Sequence, residues 1–258
     1  VTSSLSLYAP RESGLHRLHP LTKLTSALLG VVAGIALPGV WPNYAVFLLL
    51  LVPLAAWARV LPDFGRVVIK IALPFALSLF VIQGLFWTGG TPVVEIGPLS
   101  FKAEGLYFAA KTTGRILVVM GSITLFVLTT RPDQLMIALN QRGIPKTFTY
   151  VLVSAIQLVP RFQAKANAIL DAQRARGLET EGGFVQRIRA LLPVSIPLVL
   201  GSIVDVEERS IALEARGFSH EGPKTSYQVL VDTPIQRVAR PVMMLGAVAL
   251  IVGAIFVW

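Results

Sequence analysis

The chain has 258 residues, 54% of them hydrophobic and only 14% charged, with 23 Lys and Arg against 14 Asp and Glu. Soluble domains carry about 25% charged residues, so this composition, at a mean hydropathy of +0.68, excludes an ordinary soluble domain and points to a membrane protein. The lack of cysteine excludes disulfides and Cys-ligated metal sites. The net charge of +9 reads as Lys- and Arg-rich cytoplasmic loops, with no nucleic-acid binding, since no motif of that kind occurs.

Val1 to His19 holds Ser, Arg and His where a cleavable signal would carry an apolar core. Leu24 to Ala58 contains no Asp, Glu, Lys or Arg. It is broken by Pro38-Gly39 and Trp41-Pro42-Asn43, so it reads as two short spans joined by a tight turn. Ile71 to Val94 is also uncharged and long enough to cross a bilayer, which takes about 20 apolar residues. Leu106 to Thr130 is a fourth span, carrying only Lys111 and Arg115, and Pro241 to Trp258 is a fifth. The expected organisation is an all-α integral membrane protein: four spans in 1–130, a helical cytoplasmic or interfacial coupling domain in 131–240, and a final span in 241–258.

Charge sets the expected orientation. Arg11, Arg17 and Lys23 precede the first span, and Arg59, Arg66 and Lys70 lie between the second and third. The loop Pro38 to Asn43 is uncharged, and Glu95, Lys102 and Glu104 lie between the third and fourth spans. The positive-inside rule then puts the N-terminus in the cytoplasm and the C-terminus outside. Residues 131–240 hold fourteen of the 23 Lys and Arg. Within them, Thr147 to Pro160 and Ala190 to Val204 are apolar but only about 22 Å long as helices, short of a core roughly 30 Å thick. They are expected to lie in the interface or beneath the bundle.

The same block contains Ala-Arg-Gly twice, at Ala175-Arg176-Gly177 and Ala215-Arg216-Gly217. The expected helices run from about Arg161 to Arg176 and from about Ser202 to Arg216, each stopped by its glycine. Asp205 and Arg209, four apart, are expected to support the second. Singly, each copy reads as an ordinary helix C-terminus with a cation near the negative end of the dipole. The duplication points further. Ala lets a helix end approach another protein closely, and a guanidinium pairs bidentately with a carboxylate. Two such tips suit two equivalent sockets.

Other chemistries find weaker support. A membrane transferase needs clustered carboxylates for Mg²⁺, and Asp205, Glu207 and Glu208 read as a solvated helix face. His16, His19 and His220 make no metal set. No Gly-rich Lys-Ser/Thr phosphate loop occurs, so ATP is expected on a partner. Lys111 and Arg115 are the pathway charges of a rival channel or carrier, but near a span end they read as snorkelling side chains.

The chain resembles the transmembrane T component of energy-coupling factor transporters, importers of vitamins and transition metals. The resemblance rests on the paired tripeptides, on Thr129-Thr130-Arg131-Pro132-Asp133-Gln134-Leu135 through Ile144-Pro145, and on Leu15-His16-Arg17-Leu18-His19-Pro20-Leu21-Thr22-Lys23-Leu24. His19 and Leu21 stand where the family usually has Asp and Arg. The resemblance implies a non-catalytic subunit of a prokaryotic cell membrane, with Arg176 and Arg216 docking into two ABC-type ATPases that bind ATP and Mg²⁺. It implies no cofactor on this chain. It also implies one small membrane subunit that binds the substrate. Tyr150, Leu152, Leu158, Leu191, Leu198 and Leu200, in apolar stretches too short to span, are the expected contact with that subunit.

Overall fold

The computed structural model describes residues 11, 13–89, 91–96, 99–144, 146–178, 183–220, 222 and 230–257. The chain forms two compact units, one over 145–229 and the other over 6–144 with 230–258. Residues 131–144 and 230–240, on either side of the first, belong to the second.

In the larger unit, α1 (Pro20–Ala36) starts where Pro20 presets φ and His19 caps the first turn, its ring Nδ1 accepting from the Leu21 N–H at 3.3 Å. After a turn at Gly39 (φ +83°) come α2 (Trp41–Val46), a π-helical turn (Phe47–Leu51) and α3 (Val52–Trp57). Pro53 follows the π turn and has no N–H to continue the α-helical ladder, which accounts for the wider turn before it.

α4 (Leu61–Phe86) begins ten residues before the expected Ile71, so Arg66 and Lys70 sit on its early turns and not in a loop. It also ends earlier. Pro92 to Val94 belong to a short antiparallel hairpin, β1 (Pro92–Ile96) with β2 (Leu99–Lys102). α5 (Ala103–Thr129) and α6 (Pro132–Asn140) follow, and α9 (Pro234–Val257) closes the unit. α9 starts seven residues before the expected Pro241, which lies inside it.

Among the described residues, three helices are long and apolar enough to cross a membrane, Leu61–Phe86, Ala103–Thr129 and Pro234–Phe256, and Pro20–Ala36 and Trp41–Trp57 are shorter apolar helices. The core of this unit gathers Leu51, Ala55, Phe64, Val68, Val118, Leu125 and Leu128. Between membrane helices packing is driven by close backbone approach at small residues. A Cβ on Gly105 would fall 2.0 Å from the Gln83 carbonyl oxygen, and one on Gly30 would fall 2.2 Å from Ser122 Oγ. These two glycines set how closely α5 approaches α4 and α1.

The smaller unit consists of α7 (Lys146–Ala175) and α8 (Phe184–Ala215), 30 and 32 residues long. The expected helix starts at Arg161 and Ser202 are therefore corrected: each apolar stretch and its Arg-bearing stretch form one helix, about 45 and 48 Å long. Pro160, Pro193 and Pro197 lie inside these helices.

Candidate functional site

The two tripeptides adopt one geometry. At the end of α7 the Gly177 N–H donates to the Arg174 carbonyl at 2.9 Å and the Leu178 N–H to the Gln173 carbonyl at 3.0 Å. At the end of α8 the Gly217 N–H donates to Glu214 at 2.9 Å and the Phe218 N–H to Leu213 at 3.0 Å. This is the Schellman pattern, which needs a left-handed residue just past the helix. Gly177 and Gly217 supply it, with φ +87° and +69°. Ala175 and Ala215 are the last helical residues, so Arg176 and Arg216 are the caps themselves, one step beyond the last turn. All six residues are exposed. Neither guanidinium has an ion pair with another described residue.

The helices run antiparallel. Tyr150 near the start of α7 packs on Phe218 beyond the end of α8, with ring centroids 5.0 Å apart. Lys165 Nζ donates to the Gly201 carbonyl at 2.8 Å and to Asp205 at 2.7 Å. Gln173 donates to the Pro193 carbonyl at 3.3 Å. The two arginine tips thus stand at opposite ends of the pair. Nothing in the tripeptides carried that information, which lies in side chains up to 68 residues apart in sequence (218 − 150). The expected Asp205–Arg209 support is also corrected: Asp205 pairs with Lys165 on the other helix.

The apolar positions divide. Leu191 (61% exposed) and Leu200 (59%) face outward, whereas Tyr150, Leu152, Leu158 and Leu198 are half-buried. Leu192, Ile196, Val199 and Ile203, within the same apolar stretch, recur at intervals of three or four along one exposed stripe of α8. Val199, Ser202, Ile203 and Val206 line a groove of about 340 Å³ with Phe162 of α7. Lys111 and Arg115 are half-buried on α5. Glu207 and Glu208 are exposed, and among the described residues no three His, Cys, Asp or Glu side chains gather.

In the larger unit the N-terminal signature does structural work. Lys23, 4% exposed, donates from Nζ to the Thr129 carbonyl at 2.8 Å and the His16 carbonyl at 3.0 Å. It is a cationic cap on the C-terminus of α5. His19 is buried, and its pKa is lowered from 6.5 chiefly by that burial and then by Arg240. An imidazole nitrogen can accept from the Leu21 N–H only when neutral, so the cap and the lowered pKa agree. His19 thereby fills the capping place that an Asp would take.

Residues 11–227 match the cobalt transport protein family (CbiQ). The chain is 30% identical over 272 aligned positions to the energy-coupling factor transporter transmembrane protein of Thermosediminibacter oceani, covering 99% of this chain and 98% of that one. It is 29% identical over 235 positions to the protein of that name from Listeria innocua, covering 88% of each. It is also 28% identical over 268 positions to a putative ABC transporter ATP-binding protein of Bifidobacterium longum, where the match fills 98% of this chain but 33% of the relative. With that coverage, on a helical fold of apolar membrane-length helices, the chain belongs to the cobalt transport protein family and is a bacterial multi-pass membrane protein, the T component of an energy-coupling factor transporter.

Proposed function

We propose that this T component couples two cytosolic ATPases to a separate substrate-binding membrane subunit. Arg176 and Arg216 each enter a carboxylate-bearing socket on one ATPase, and the ATPases bind ATP and Mg²⁺. The small membrane subunit binds the vitamin or transition-metal ion and rests on the apolar stripe of α8 around Val199, Leu200 and Ile203. In this reading the N-terminus and the 145–229 unit are cytoplasmic and the C-terminus is outside.

The observation that carries the reading is the identity of the two helix ends: the same cap, the same exposed arginine, at opposite ends of one antiparallel pair. It also favours a pair lying along the membrane surface. An antiparallel pair that crossed the bilayer would put Arg176 and Arg216 on opposite faces, beyond the common reach of cytosolic ATPases. The Bifidobacterium longum relative supports the partnership, since a region like this chain is there a third of a protein named for ATP binding. Purification through a tag on this chain from its native membrane tests the proposal. It should bring down two ATPase subunits and one small membrane protein. A chain recovered alone that hydrolyses ATP or carries solute unaided contradicts it.

A further inference from the structure

The 145–229 unit leaves the membrane unit after Ile144 and returns at Leu230. Charges beside both junctions meet at one carboxylate. Asp232, just inside the returning junction, lies 2.6 and 3.1 Å from two guanidinium nitrogens of Arg240 and 3.7 Å from Arg237. It lies 4.0 Å from Arg142, which stands two residues before Ile144 on the departing side. Arg240 is 5% exposed, and its Nε donates to Thr22 Oγ1 on α1 at 2.9 Å. One turn earlier on α9, Gln236 accepts from the His19 backbone N–H at 2.9 Å. Asp232 thus meets arginines beside both junctions, and through Arg240 it reaches Thr22 in the first turn of α1.

Helix formation does not require this. α1 is capped by His19 and α5 by Lys23 without Asp232. Neutralising one buried guanidinium requires a single carboxylate, which Arg240 already holds in bidentate geometry. Arg142 and Arg237, with side chains 55% and 67% exposed, are additional. What they add is a connection to each junction. Without such ties residues 142 and 232 would move independently of each other and of α1 when the segment between them is loaded.

We infer that Asp232 is a positioning residue for energy coupling: it links Arg142 and the start of α9, which flank the 145–229 segment in sequence, to each other and through Arg240 to α1, so that force arriving through Arg176 and Arg216 moves membrane helices together. The inference rests on the coupling function proposed above, and it concerns a residue outside the docking tips.

The test uses the whole complex, with spin-labelled cysteines replacing exposed Ile35 on α1 and Phe86 on α4. ATP with vanadate should shift the distance between the labels in the otherwise unchanged chain. Asp232→Asn should lose that shift while both ATPases stay bound and hydrolyse ATP, and Asp232→Glu should restore part of it. Asp232→Asn strands a buried guanidinium, so Arg142→Gln with Arg237→Gln serves as the second variant. It leaves the Asp232–Arg240 pair in place and should shrink the shift. An unchanged shift in both variants overturns the clamp, as does a parent chain with no shift. Dissociation of the ATPases from the double Gln variant also overturns it, because Asp232 would then serve assembly. The coupling reading fails separately, if Arg176→Glu with Arg216→Glu keeps both ATPases bound.

Discussion

Lys165 and Asp205 meet at 2.7 Å, and each stands eleven residues before the arginine of its own helix, Arg176 or Arg216. The antiparallel helices thus cross at a point equidistant from both tips, with arms of about 16 Å and tips about 33 Å apart along the pair. Spin labels on cysteines at Ala175 and Ala215 should accordingly report a separation of about 30 Å. A parallel pair would bring them within about 10 Å, the usual interhelical spacing, and that result would remove the two-socket geometry.

The Lys165–Asp205 pair itself should contribute little to stability. Its side chains are 33% and 57% exposed, and such pairs are worth about 0–1 kcal/mol. A thermal-unfolding cycle of Lys165→Met and Asp205→Asn should give a coupling energy below about 1 kcal/mol. A value above about 2 kcal/mol would mean that the crossing is held more tightly than an exposed pair allows.

Gly177 has open space around it but φ +87°. Gly177→Ala should therefore cost about 1–2 kcal/mol through backbone conformation alone, fraying the turn that presents Arg176. Gly217→Ala should do the same for Arg216. ATPase pull-down should weaken in both although each guanidinium is intact, and Gly177→Asn should be milder because Asn tolerates the left-handed region. Unchanged pull-down with Ala at both positions would show that the cap does not position the arginines.

How much of this was legible in the sequence varies by element. The tripeptides announced the two helix ends because glycine after a cation near a helix terminus has a local physical cause. The start of α4 is hidden because Arg66 and Lys70 read as loop charges, although exposed cations fit the first turns of a helix entering a membrane. Val93 and Val94 looked like the end of a span, yet Gly89 and Pro92 turn the chain into a hairpin. Pro160, Pro193 and Pro197 are poor helix residues by local rules, yet α7 and α8 run through all three. The antiparallel crossing and the Asp232 cluster were not legible at all, since both depend on long-range pairs of unremarkable residues.

Lys23→Met should destabilise the membrane unit by about 1.5–3 kcal/mol, the range for hydrogen bonds made by a charged group. It removes the donor to both the Thr129 and His16 carbonyls. Thermal unfolding in detergent micelles measures this, and a loss below about 0.5 kcal/mol would show that water replaces the ammonium at the end of α5.

His19 predicts a pH dependence. Its pKa is depressed on folding by burial first, then by Arg240, with Arg142 and Lys23 adding and Asp232 opposing. The unfolded chain therefore takes up the proton more readily. Stability linked to His19 is complete above the unfolded value of 6.5 and is lost as pH falls from there through the lower folded value. His19→Asn keeps a capping acceptor and removes the titration. Its unfolding temperature should fall less than that of the parent between pH 7 and pH 5. Parallel curves would assign the acid sensitivity to other groups.

The most direct measurement of coupling is ATPase pull-down and substrate uptake in the Arg176→Glu, Arg216→Glu double variant. Removing either guanidinium from a carboxylate socket should cost about 2–5 kcal/mol per site, and Arg→Lys should rescue poorly because an ammonium lacks the bidentate fork. Each single Glu change should impair uptake more than membrane insertion, and the double change should abolish ATPase association, since distant sites add. Pull-down and uptake at parental levels in the double variant would contradict the coupling role and reduce both tips to ordinary helix caps.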